Sequence, residues 1–280
     1  MNTSSILART ELWRFLRERK ILSTHRKVAG LCDDLIRECG DSPVPTEPLP
    51  LQDLGTDKVI WQYWAQGFEN APGIVKDCIA SVDKFAQGWK IIRLSDENIG
   101  EYIEIPQAIS KKRGHYSLVH FSDLLRLMLL HAYGGFWMDA TIMLTGPIPQ
   151  EYTSGDFFVF RRDPSERNIK YWRNTYAYYF GWAKGFRVNM LTSFMFARKD
   201  SPTLGAMYKL LYRWWQTHDA LPDYFFLQIL FDCIGTLEQY PLVSDCLPHY
   251  LQQSMNDPHF KLMSKEDITR TIPVHKLSYK

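Results

Sequence analysis

From Lys58 onward, short apolar runs alternate with amphipathic stretches of helical period. Lys58–Trp64 reads as a strand, and Gly73–Phe85 as a helix with Ile74, Cys78, Ile79 and Val82 inward. Lys90–Leu94 is a second strand, and Ser95 is placed to cap a short helix over Asp96–Tyr102. The helix through Leu124, Leu125, Leu127, Met128, Leu129 and Leu130 is apolar on nearly every face, so it is expected to be buried. Gly134 and Gly135 stop it and reverse the chain. Strands follow at Phe136–Met138, Phe157–Phe160 and Phe194–Ala197. Helices follow over Pro202–His218, with Trp214 and Trp215, and over Tyr224–Cys233. Strands alternating with helices predict an α/β fold with a parallel sheet.

The first 55 residues read differently. Ser4–Leu22 and His25–Cys39 predict two helices, and the proline-rich run Asp41–Pro50 predicts a linker. The expected organisation is a helical extension with linker over 1–55 and a catalytic domain over 56–280. Arg9, Arg14, Arg17, Arg19, Lys20, Arg26 and Lys27 face only Glu11 and Glu18 in this region. Leu7, Leu12, Trp13, Phe15 and Leu16 add apolar surface. Two readings stay open: a basic, aromatic helix lying on an anionic membrane, or a solvated helix packed on the catalytic domain.

Candidate chemistry begins inside the buried helix. Asp123 and Arg126 sit three apart on one of its faces, and charges are seldom buried unless paired or used. The short aromatic strand after Gly134-Gly135 then delivers Asp139 to its C-terminal end, where open α/β sheets bind ligands. A buried ion pair and a turn aspartate would account for either piece alone.

Taken in order, Ser122-Asp123, Arg126, Tyr133-Gly134-Gly135, Phe136-Trp137 and Asp139-Ala140-Thr141 resemble the sugar-nucleotide glycosyltransferases of the GT-A type. The likeness is strongest to glycosyltransferase family 32 and its bacterial capsular-polysaccharide branch. It runs from about Lys58 to the C-terminus. Thr141 departs from the Asp-X-Asp pattern of that family. The resemblance implies a GT-A-like, Rossmann-type α/β fold that moves a hexose, with retention, from a nucleotide-diphosphate sugar, commonly UDP-linked. The acceptor it implies is a lipid-linked precursor of a surface polysaccharide. It also implies a divalent metal, Mn²⁺ or Mg²⁺, at Asp139, Thr141 and His275. Asp123 and Arg126 would hold the donor sugar or diphosphate, and Asp139 would complete the catalytic set. Trp61, Gln62, Tyr63 and Trp64 would line the nucleotide, with alternation allowing only one pair to face it. Lys276 and Ser278, in the closing Pro273–Lys280 segment, would meet the diphosphate, unless that segment is a frayed basic tail. Asn189 and Ser193 would line the acceptor side. Rival readings are a toxin-like transferase that glycosylates protein, and a non-catalytic glycan-binding scaffold.

Composition narrows the picture further. The net charge of +2 over 280 residues gives no electrostatic case for nucleic acid. Five scattered cysteines without a Cys-x-x-Cys argue against zinc and a disulfide framework, and for reduced thiols in the cytoplasm. No secretory signal and no bilayer-spanning run is evident, so the expected location is the cytoplasm, at the inner face of the membrane if the basic helices bind it. Gly-x-Ser-x-Gly, Walker A, His-Glu-x-x-His and Gly-x-Gly-x-x-Gly are all absent.

Overall fold

The computed structural model describes residues 11–40, 48–55, 58–199 and 201–279. The chain opens with α1 (Glu11–Cys39), followed by β1 (Val59–Tyr63), α2 (Gly73–Phe85), β2 (Lys90–Leu94) and the single turn α3 (Gln107–Ser110). Next come α4 (Leu118–Tyr133), β3 (Gly135–Met138), β4 (Ile142–Leu144), β5 (Phe157–Arg161) and α5 (Ile169–Thr175). The last elements are β6 (Met190–Ala197), α6 (Pro202–Thr217), α7 (Phe226–Ile234), α8 (Tyr250–Asn256), α9 (Lys265–Thr271) and β7 (Val274–Lys276).

The fold is mixed α/β, on a five-stranded sheet of order β2-β1-β3-β6-β5. The expected parallel pairing holds for β2, β1 and β3. It fails at β6 and β5, which run antiparallel to their neighbours. Parallel strands need a crossover connection packed on the sheet. Between β5 and β6 the chain carries only the 7-residue α5, whose Trp172 packs in a separate cluster with Phe180, Cys246 and Tyr250. The chain therefore returns antiparallel.

Helix α4 is the central support. Its six apolar residues from Leu124 to Leu130 have no exposed surface, and the Ser117 side chain caps it by accepting from the His120 amide. It ends at Gly134, with φ 74° and ψ −167°, a region open essentially to glycine alone. Gly135 also has positive φ. The two glycines let β3 start immediately beneath the helix it follows.

Two expectations are corrected. The N-terminal region is one 29-residue helix over its described part, not two. No proline or glycine lies between Leu22 and His25, so the ladder continues through Ser23 and Thr24. Residues 1–10 and 41–47, with most of the proposed linker, lie outside the described residues. Helix α1 buries Ile21, Val28, Cys32, Leu35 and Cys39 in the same core as α4 and α6. His25 locks it in place by accepting from the Arg187 amide at 3.1 Å. The helix expected over Asp96–Tyr102 is instead a turn leading into a 3₁₀ segment, Ile99–Glu101. The Asn98 side chain accepts from the Ser95 amide at 2.8 Å there, and such local bonds compete with an α-helix.

Candidate functional site

Strands β1 and β3 are parallel, with Trp61 opposite Trp137, so their C-terminal ends reach the same edge. Alternation puts Trp137 and Asp139 on the face toward α4. There the Trp137 Nε1 donates to Asp139 Oδ1 at 2.8 Å. The Asp139 amide donates to the Ser193 carbonyl at 2.8 Å, which anchors the turn to β6.

Two cations converge on this carboxylate. Arg126 Nη2 lies 3.3 Å from Asp139 Oδ1, while its Nη1 lies 2.9 Å from Asp123 Oδ1. Lys276 Nζ lies 3.5 Å from Asp139 Oδ2 and donates to Thr141 Oγ1. Asp123 and Arg126 are nearly enclosed, whereas the Asp139 side chain is 27% exposed and Lys276 25%. The cluster is thus a buried pair opening onto a solvent-reached pair. Burial pushes Asp123 up to about 6 against the pull of Arg126, and Asp139 adds to the rise. Burial would raise Asp139 too, but Lys276, Arg126 and the Trp137 indole hold it below the usual carboxylate range.

Lys276 arrives from the far end of the chain. Strand β7 pairs antiparallel with β4, setting Lys276 opposite Ile142 and His275 opposite Met143. The closing segment is therefore ordered sheet through Lys276 and not a frayed tail. A cavity of about 230 Å³ adjoins Lys276, lined also by Ser278, Tyr279, Gln252, His249 and Tyr176. The Ser278 amide donates to Gln252 Oε1 at 2.9 Å. Larger grooves lie away from this chemistry, among them one of about 500 Å³ between α1 and the segment around α5.

Several expected site residues sit elsewhere. His275 faces away from Lys276, as strand alternation requires. It is wholly buried, with Nε2 3.0 Å from Thr145 Oγ1, and burial pushes its pKa down to about 4. It is not beside Asp139. Trp61 has no exposed surface and spends its indole N–H on the Gly134 carbonyl, so it has no face for a base. Gln62 is also fully enclosed, its Oε1 accepting from Arg93. Tyr63 is buried, donating to Asp96 and accepting from Arg113. Of that run only Trp64 keeps partial exposure, with Tyr279 edge-on to it at 5.3 Å. Asn189 is tied to Asp232 and lines a different groove, whereas Ser193 is buried beside the Asp139 turn.

Tyr224 and Tyr279 had no place in the sequence-based site. Tyr224 is exposed and stands 6.0 Å from His120. Desolvation, then the charges of Asp123 and Asp139, raise its phenol pKa. The helix expected from Tyr224 starts instead at Phe226 and leaves Tyr224 outside it.

A resident divalent ion fits these residues poorly. Hard cations want several oxygen ligands. Here Asp139 is the one carboxylate at the strand end, the Thr141 hydroxyl is taken by Lys276, and His275 faces away. Among the described residues no three His, Cys, Asp or Glu side chains gather as a ligand group.

Two carboxylates and two cations thus gather beside the edge where the parallel strands β1 and β3 end, in an α/β protein. The chain belongs to the family of capsular polysaccharide synthesis proteins, whose sequence profile matches residues 32–280. It is 26% identical over 230 residues to the O-glycosyltransferase PaGT of Phomopsis amygdali, covering 77% of this chain and 48% of that protein. It is 31% identical over 96 residues to the O-glycosyltransferase braB of Annulohypoxylon truncatum, covering 30% of this chain and 23% of that one. The glycosyltransferase afumC of Aspergillus fumigatus is 30% identical over 107 residues, covering 34% and 27%. The chain thus spans about half or less of the curated relatives it matches. Among solved structures, the PaToxG glycosyltransferase aligns over 94% of this chain and 96% of its own, with 14% identity and a TM-score of 0.38.

Proposed function

We propose that the chain is a glycosyltransferase whose GT-A-like catalytic unit, over residues 56–280, is completed by helix α1 packed into its core. In this reading it moves a hexose from a nucleotide-diphosphate sugar, UDP-linked, to a hydroxyl of a surface-polysaccharide precursor carried on a lipid, with retention. The observation that carries the reading is the convergence of Asp123, Arg126, Asp139 and Lys276 at one strand edge. Glycosyl transfer expels a diphosphate, so negative charge grows on its oxygens and fixed cations stabilise it most. Arg126 and Lys276 supply those cations. Asp123, as a carboxylate, accepts from donor-sugar hydroxyls, and Asp139 holds both cations in place. Trp64, Tyr279 and Tyr224 give aromatic faces around the opening for base or sugar.

The polysaccharide acceptor rests on the family description. The relatives above are named O-glycosyltransferases, a name that fits any hydroxyl acceptor; a protein acceptor, as in toxin-like transferases, is the second reading. The outer face of α1 suits a peripheral contact with an anionic membrane on the cytoplasmic side. Leu12, Phe15 and Leu16 are more than half exposed, and Arg19, Lys20, Arg26 and Lys27 extend the stripe. Among the described residues no helix is long and apolar enough to cross a membrane.

The test is hydrolysis of a panel of sugar nucleotides by purified protein, with and without Mn²⁺, followed by acceptor screens of lipid-linked sugars against proteins. Hydrolysis of one donor, with transfer to a lipid-linked sugar, is expected. A folded protein that neither binds nor hydrolyses any sugar nucleotide would leave the non-catalytic scaffold.

A further inference from the structure

The metal expected of this family and the residues of this chain do not agree, and the disagreement points to a specific replacement. We propose that Lys276, with Arg126, does the work of the divalent ion, so that this chain binds the diphosphate of its donor without metal. The inference rests on the nucleotide-sugar reading above and deepens it.

The positions that would hold an ion are Asp139, Thr141 and His275. Thr141 has no charge, and His275 is buried on the opposite face of its strand against Thr145. One carboxylate remains. The place beside it is filled by an ammonium that touches both Asp139 and Thr141. An arriving divalent ion would have to displace this ammonium or sit against it.

Charge balance supports the replacement. A divalent ion on two carboxylates is a neutral assembly. Asp123 and Asp139 with Arg126 and Lys276 reach the same balance from the chain's own groups. The lysine is also positioned by structure. It is a residue of β7, whose pairing with β4 holds the backbone beside the Asp139 turn, and Leu277 donates to the Thr141 carbonyl at 3.0 Å. An ammonium has three donors. Thr141 takes one and Asp139 attracts a second, which leaves one for a phosphate oxygen. Arg126 Nε, buried and without a hydrogen-bond partner, is a further unspent donor in the cluster.

The cavity beside Lys276 offers the room. His249 lines it with a buried Nε2 that has no hydrogen-bond partner. Burial first, then Lys276 and Arg162, push the His249 pKa down to about 3. Its imidazole is therefore neutral, able to donate to a phosphate oxygen without needing a counter-charge.

The experiment is calorimetric titration of the full chain with UDP, GDP, CDP and ADP, in EDTA and again in millimolar MnCl₂. At least one diphosphate is expected to bind in EDTA, with Kd within about threefold of its value in Mn²⁺. Lys276→Met should weaken binding in EDTA by roughly 10- to 100-fold, the loss typical of a hydrogen bond to a charged group. Lys276→Arg, which keeps the charge, should recover part of that loss. Melting temperatures report whether each variant folds. If Lys276→Met does not fold, the wild-type comparison and Lys276→Arg still decide. Binding that vanishes in EDTA and returns with Mn²⁺ overturns the proposal and leaves the transferase reading standing. Wild-type affinity in folded Lys276→Met overturns it as well. Failure of every diphosphate under both conditions overturns both readings.

Discussion

Asp123→Asn exchanges one oxygen for an amide nitrogen on a side chain only 7% exposed and 2.9 Å from Arg126. In the folded chain the Asp123 carboxyl titrates near 6, against a reference of 3.8. That gap of about 2 units corresponds to about 3 kcal/mol. The direction follows from proton binding. Between about pH 4 and 6 the folded state holds a proton that the unfolded chain has released, so rising pH removes stability through this window. Above about 6 the loss is complete. Asparagine does not titrate, so the stability of wild type minus variant should fall by about 3 kcal/mol from pH 4 to 7. At this chain length that is roughly 5 °C in melting temperature. Arg126 is not orphaned by the change, because Asp139 remains 3.3 Å away, so the variant should fold. Catalysis should respond differently. On the transferase reading proposed above, the ionised carboxylate accepts from sugar hydroxyls, and charged hydrogen bonds are worth about 1.5–3 kcal/mol each. Donor hydrolysis should therefore drop by roughly 10- to 100-fold or more. Wild-type hydrolysis should rise with an apparent pKa near 6, and the variant should lose that acid limb. Melting curves and hydrolysis rates across pH 4–8 check both parts. A stability gap that stays flat with pH, or a stable variant hydrolysing donor at the wild-type rate, would refute the reasoning.

Asp139→Asn keeps an oxygen for the Trp137 indole but removes the charge that holds Lys276 and Arg126, so transfer should fall by about 10²-fold or more, beyond what any loss of folded protein at the assay temperature explains; near-normal turnover would take Asp139 out of the mechanism. Leu12→Ser, Phe15→Ser and Leu16→Ser combined should abolish binding to anionic vesicles, and salt should weaken wild-type binding; unchanged flotation of the variant would deny the patch this role. Deleting residues 1–40 is not a clean test, because it strips Ile21, Val28, Cys32 and Leu35 from the core, and the truncated chain is expected to unfold. Asp245→Ala should cost about 3–5 kcal/mol, since it strands Arg162, both partners being 5% exposed or less; a melting temperature within about 2 °C of wild type would show that Arg162 finds other acceptors.

How much of the fold could be read in advance depended on how local its causes were. Helix α2 and strand β2 have the bounds expected from their patterns, because Pro72-Gly73 and Gly88 punctuate strong periodic runs. The glycine turn after α4 was equally plain. Helix α1 was misread because its inner face carries His25, Cys32 and Cys39 among the aliphatics, which blurs the stripe. Strands β4 and β7 have three residues each, too few to show a period. They pair across 130 positions or more, for which a local pattern leaves no trace.

The same division runs through the site. Asp123, Arg126 and Asp139 lie on one helix–turn–strand unit; spacing paired Asp123 with Arg126 and put Asp139 at a strand end, and the family resemblance joined the three. The orientation of the residues expected to line a nucleotide could not be read from spacing. Trp61 and Tyr63 are aromatic residues near a strand end, but the face they occupy is set by α4, which lies over it. The choice between His275 and Lys276 is sharper still. Adjacent residues on a strand point to opposite faces, so only one of the two can reach Asp139. Which one depends on the register of β7 against β4, where Lys276 stands opposite Ile142. A shift of one residue would have placed an imidazole beside Asp139 and the ammonium against Thr145. A single step of register therefore separates a site suited to a metal ligand from one that carries its own cation.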